Sequence, residues 1–131
     1  MKKAGKVLIV DDNEITRFIT EHTLLEMKLA EEIIFTKDGN EAMLLIREGL
    51  LPDLILLDLN MPGMGGFAFL DEYQSLSSTA VLPPNVVVFS TSTRPEDRQA
   101  AKEYDSVIGF AEKPITEQKL RLLLQSFGWD N

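Results

Sequence analysis

Short apolar runs recur along the chain at Val7–Val10, Ile33–Phe35, Leu54–Leu57, Val86–Phe89 and Val107–Ala111. Each is continuous rather than alternating, the pattern of parallel strands covered on both faces. The stretches between them are amphipathic with helical spacing. Ile15, Phe18, Ile19 and Leu25 fall on one helical face behind the cap candidates Asp12 and Asn13. Asp38 followed by Glu41 predicts another helix start, with Ala42, Leu45 and Ile46 as its apolar stripe and Gly49 closing it. Phe67, Leu70 and Tyr73 line a third helix. Thr93-Arg94-Pro95-Glu96 reads as a capping box with proline in the first turn. Thr116 opens the last helix, where Leu120, Leu123, Leu124 and Phe127 keep helical spacing up to Gly128. Strand and helix alternate through five such units, which predicts an α/β fold with helices on both faces of a parallel sheet.

Composition narrows the function more than the fold. At 131 residues the chain is one domain with room for a real core. No apolar run approaches the ~20 residues of a membrane span, and the acidic residues close behind the first short run do not fit a secretory signal. With no cysteine, disulfides, thiolate metal sites and cysteine nucleophiles are all excluded, which fits a cytoplasmic protein. A formal charge of −8 without a basic cluster disfavours nucleic-acid binding. The same acidity serves either solubility or a divalent cation, and net charge does not choose between them. There is no repeat or low-complexity segment; the loosest stretch is Ser75–Asn85, before the fourth strand. The elements use nearly the whole length, so residues 1–131 read as a single domain without an output module.

Ligands of open parallel sheets bind beyond the carboxyl ends of the strands. At those ends stand Asp11 and Asp12, Asp58, Ser90 and Thr91, and Lys113-Pro114. Gathered carboxylates repel unless something neutralises them, and Mg²⁺ does so while leaving places for phosphoryl oxygens. A lysine and a hydroxyl suit the remaining oxygens of such a group. Together these side chains make a phosphoryl-transfer site in which one carboxylate can act as nucleophile.

The stretches "VLIVDDNE", "LILLDLNMPGMGG", "VVVFSTS" and "FAEKPI", in that order, resemble the receiver domain of two-component response regulators. The resemblance runs from about Lys6 to Phe127. It implies a flavodoxin-like, doubly wound, five-stranded parallel sheet of order 2-1-3-4-5 with five helices. It also implies that Asp58 takes a phosphoryl group from the phosphohistidine of a histidine kinase or phosphotransfer protein. Asp12, Asp58 and the backbone carbonyl of Asn60 would bind Mg²⁺, and Asp11 would hold metal-bound water. Lys113 would pair with Asp58 before reaction and with the phosphoryl group afterwards. Ser90 would hydrogen-bond the phosphoryl group, Phe110 would be the aromatic switch, and the Lys113–Pro114 bond would be cis. Thr91 stands where the family commonly has alanine, so it would narrow access to Asp58. Phe110 lacks the hydroxyl of the tyrosine common there, so its readout would be steric. A downstream protein would read the face of helix 4, strand 5 and helix 5. The resemblance thus points to a stand-alone signalling switch that catalyses its own phosphorylation and dephosphorylation, with no nucleic-acid or membrane partner.

Taken singly, every one of these residues has a structural explanation. Asp11-Asp12 before a helix is an ordinary cap, Lys113 an ordinary solvated lysine, and Phe110 an ordinary core residue. His22 on the first helix reads as a partly exposed helix residue. The joint order is what points to chemistry. Two rival functions share parts of the pattern. A haloacid-dehalogenase-type phosphatase also uses an aspartyl phosphate, but its D-x-D lies on the first strand, whereas Asp58 is on the third and is followed two residues later by Asn60. A receiver-like module that works without phosphorylation would not need Asp11, Asp12, Asp58, Ser90 and Lys113 together.

Overall fold

The computed structural model describes residues 4–61, 65–77, 84–91 and 94–126. The strands are β1 (Ala4–Val10), β2 (Ala30–Thr36), β3 (Leu54–Asp58), β4 (Val86–Ser90) and β5 (Val107–Glu112). The helices are α1 (Glu14–Met27), α2 (Gly39–Arg47), α3 (Gly66–Ser77), α4 (Pro95–Lys102) and α5 (Glu117–Ser126). All strand pairs are parallel, in the order β2-β1-β3-β4-β5.

The continuous apolar runs supply both faces of this sheet. Successive strand residues point to opposite sides, so Val7 and Ile9 of β1 join Leu54, Leu56, Val87 and Phe89 in one core layer. Leu24 of α1 and Leu120 and Leu124 of α5 close that layer. Leu8 and Val10 point the other way, with Ile55, Leu57, Val86 and Val88, and are covered by Ala42 and Met43 of α2 and Phe69, Leu70 and Tyr73 of α3. Each fully buried aliphatic or aromatic side chain contributes about 1.5–3 kcal/mol, so the two layers together hold the central strands rigid. That rigidity passes to whatever stands at the strand ends.

Caps end the helices largely as their residue types dictate. Asn13 accepts from the Thr16 N–H at 2.9 Å, Asp38 from the Glu41 N–H at 2.8 Å, and Thr116 from the Lys119 N–H at 3.2 Å. Gly49 takes a φ of 113° after α2, a conformation that side chains resist. Pro95 occupies the first turn of α4, but the N-cap Arg94 makes no side-chain capping bond. Thr93, expected to cap α4, and Phe127 and Gly128, expected to end α5, lie outside the described residues, as does 78–83 of the loose stretch. Tyr104 follows the end of α4.

The four apolar residues do share one face of α1, and that face is turned to solvent. Ile15 and Phe18 are each 73% exposed, Leu25 is 58% and Ile19 41%. The buried side chains are Thr20 and Leu24. At ~100° per residue these lie on the opposite side of the helix. Burying Thr20 is tolerated because its hydroxyl donates to the Thr16 carbonyl at 2.8 Å. The fold therefore leaves the most apolar ridge of α1 in solvent.

Candidate functional site

β1 and β3 are neighbours at the centre of the sheet, and the chain leaves them in opposite lateral directions. Their carboxyl ends thus open a crevice where no crossover helix sits. Asp11, the first residue after β1, and Asp58, the last of β3, meet there. Both are buried, at 4% and 5% exposure, while Asp12 is exposed at the rim. One carboxylate oxygen from each of Asp11, Asp12 and Asp58 lies within 4.8 Å of the others.

Every oxygen of the two buried carboxylates has a defined neighbour. Asp11 Oδ1 accepts from the Asn13 N–H at 2.9 Å, and its Oδ2 from Lys113 Nζ at 2.9 Å. Asp58 Oδ1 accepts from the Asn60 N–H at 3.1 Å, and its Oδ2 lies 3.2 Å from Lys113 Nζ. Lys113 is held by its own backbone, whose N–H donates to the Ser90 carbonyl at 2.8 Å across β4 and β5. Its peptide bond to Pro114 is cis. Burial pushes the Asp58 carboxyl above the usual aspartate range; the Asn60 N–H and Lys113 pull it down, and Asp11 pushes it up again.

The residues expected to serve a phosphoryl group stand at or near the ends of β4 and β5. Ser90 is fully buried at the end of β4, and its Oγ accepts from Asn60 Nδ2 at 3.0 Å. Thr91, the next residue, is exposed. Phe110 on β5 is half-buried against the layer of Leu57 and Val88, with the Arg98 guanidinium of α4 5.3 Å from its ring centre. Pro62, Gly63 and Met64 of the loop after Asn60 lie outside the described residues. Two contacts escaped the sequence reading. Lys113 binds Asp11 as well as Asp58, and the Asn60 side chain reaches Ser90. The second had a faint signal, a polar amide two residues beyond a strand-end aspartate.

The donor set fits a hard divalent cation. Its ligand atoms are carboxylate oxygens, two of its members are buried, and a lysine already balances their charge where a metal would. Among the described residues no helix is long and apolar enough to cross a membrane.

Comparison with known proteins agrees with this geometry. The family model described as "response regulator receiver domain" matches residues 7–125. The chain is 37% identical over 96 residues to the nitrate/nitrite response regulator protein NarL of Escherichia coli, covering 73% of this chain and 42% of that protein. It spans less than half the length of that relative. It is 27% identical over 121 residues to protein PilH of Pseudomonas aeruginosa, covering 88% of this chain and 91% of that one. The crystal structure of a two-component response regulator from Cytophaga hutchinsonii superposes with a TM-score of 0.80 at 30% identity, covering 95% of this chain and 97% of the other. A crevice of three aspartates at the central strand ends, a lysine bridging two of them, and a family match over nearly the whole chain lead to one conclusion: the protein belongs to the response regulator receiver domain family of two-component signalling.

Proposed function

We propose that Asp58 accepts a phosphoryl group from the phosphohistidine of a cytoplasmic sensor kinase or phosphotransfer protein, and that the domain catalyses both this step and its own dephosphorylation. The observation that carries the proposal is Lys113 lying between the buried carboxylates of Asp11 and Asp58, with Asp12 at the rim of the same crevice. Asp11, Asp12 and Asp58, with the Asn60 carbonyl as the family resemblance implies, would hold Mg²⁺, which neutralises charge on the transferring group. In the transfer a carboxylate oxygen of Asp58 forms the new bond to phosphorus. The phosphorus–nitrogen bond breaks, and the imidazole leaves with that electron pair. Lys113 would follow the charge from carboxylate to phosphoryl group, and Ser90 would donate a hydrogen bond from its hydroxyl to a phosphoryl oxygen. Movement of Ser90 would let Phe110 turn inward, biasing an existing equilibrium that a downstream protein reads on α4, β5 and α5.

The exposed ridge of α1 supports docking of a protein phosphodonor. Ile15 and Phe18 lie within two turns of Asp12, so a partner delivering phosphorus to Asp58 from the rim would rest on them. An apolar ridge beside a charged crevice is the arrangement of a docking surface rather than of a solvated helix.

Mass spectrometry after acetyl phosphate treatment tests the central claim. A Mg²⁺-dependent, base-labile mass gain that disappears in Asp58→Asn is the expected result. No gain from acetyl phosphate or any kinase would return the protein to the class of phosphorylation-independent modules.

A further inference from the structure

Asn60 touches the nucleophile and the switch hydroxyl at once. Its backbone N–H donates to Asp58 Oδ1 at 3.1 Å, and its side-chain Nδ2 donates to Ser90 Oγ at 3.0 Å. Ser90 is fully buried, whereas Asn60 is exposed. The amide therefore reaches down from the surface of the crevice onto a hydroxyl oxygen, and the Ser90 side chain cannot swing away without breaking this contact.

We infer that Asn60 is a positioning residue: its side-chain amide latches Ser90 in the unphosphorylated arrangement and so sets how readily chemistry at Asp58 becomes motion of Ser90 and Phe110. The inference rests on the phosphoacceptor reading of Asp58. Phosphorylation of Asp58 turns a charged carboxylate, a strong acceptor, into an acyl phosphate whose carboxyl oxygens accept more weakly. The hold on the Asn60 backbone loosens in the same event that offers the Ser90 proton a phosphoryl oxygen. Ser90 follows Val88 by two residues and shares its side of β4, and Val88 pairs with Phe110 across the sheet. Release of Ser90 is thereby transmitted through that side of β4 to the aromatic ring paired with Val88.

The latch predicts that its removal favours the active arrangement before any phosphoryl group arrives. Beryllofluoride with Mg²⁺ serves as the probe, on the full chain, with wild type, Asn60→Ala, Ser90→Ala and the double variant compared by NMR. Without ligand, Asn60→Ala moves the Phe110 signals part of the way toward their positions in beryllofluoride-bound wild type. Its apparent beryllofluoride affinity rises roughly two- to tenfold, the effect of freeing one neutral hydrogen bond from the competent state. In the Ser90→Ala background the Asn60 substitution adds nothing, because the partner is gone. Unchanged or weaker affinity in Asn60→Ala, or an equal gain in the Ser90→Ala background, overturns the latch. Failure of wild type itself to take up beryllofluoride overturns the phosphoacceptor reading and the latch with it, so the two failures are told apart by wild type alone.

Discussion

Lys113 Nζ lies 2.9 Å from Asp11 Oδ2, closer than the 3.2 Å that separates it from Asp58. One ammonium thus serves two buried carboxylates that would otherwise repel each other across the crevice. Lys113→Ala leaves both without a counter-charge, and removing one partner of a buried ion pair costs about 3 kcal/mol. The loss should appear as a lowered urea midpoint in the presence of a chelator and shrink when Mg²⁺ is added. Some phosphorylation should survive while switching is uncoupled. An equal loss with and without Mg²⁺ would mean that the lysine acts through packing rather than charge.

Asp58→Asn should be more stable than wild type at neutral pH in the absence of Mg²⁺, and unable to accept a phosphoryl group. Burial raises the Asp58 carboxyl above its unfolded value, so the folded protein holds that proton longer than the unfolded chain. The folded state then loses stability as pH rises from the unfolded value through the raised one. Asparagine has no proton to lose, so its advantage appears over that window and vanishes below it. Urea midpoints of both proteins from acid to neutral pH decide the matter. A less stable variant at neutral pH would show that the attraction of Lys113 outweighs the cost of burial.

Phe18→Asp should leave the fold within about 0.5 kcal/mol of wild type, because a side chain 73% exposed contributes little to the core. Phosphorylation by acetyl phosphate should be unaltered, since a small donor needs no docking face. Transfer from a protein phosphodonor should slow by about tenfold or more, the cost of a charge placed in an apolar contact. Equal transfer rates from the protein donor would remove α1 from the docking surface.

The strand ends were legible because burial and topology leave no choice there. A continuous apolar run ending in aspartate must place that carboxylate at the sheet edge, as Asp58 is placed. The caps at Asn13, Asp38 and Thr116 were equally plain, since a short polar side chain before a helical pattern has one obvious use. The orientation of α1 was not. Periodicity finds the apolar face of a helix but cannot say what covers it, and here Thr20 and Leu24 pack inward while Ile15 and Phe18 do not. At α1 the sequence answers to a surface rather than to the core. The bonds from Asn60 to Ser90 and from Lys113 to Asp11 span 30 and 102 residues. Spacing carries no information at such separations, and only the assembled crevice reveals them.

Gly66 ties the fold to the chemistry. As the first residue of α3 it donates its N–H to the Leu59 carbonyl at 3.1 Å, folding the loop after β3 back upon the strand end. A Cβ there would lie 2.6 Å from Leu59 Cα and 3.0 Å from the Asp58 carbonyl oxygen. Both obstacles are backbone, so Gly66→Ala must displace either the start of α3 or the peptide that carries Asp58. The expected cost is about 1–3 kcal/mol of stability, together with slower phosphorylation by acetyl phosphate. Gly109→Ala is the fitting comparison, because its Cβ would meet the end of the Leu123 side chain, 2.5 Å away. That tip can move, so Gly109→Ala should lose less stability and leave the phosphorylation rate alone. If Gly66→Ala matched Gly109→Ala in both measurements, the close approach beneath Asp58 would have no part in holding the nucleophile.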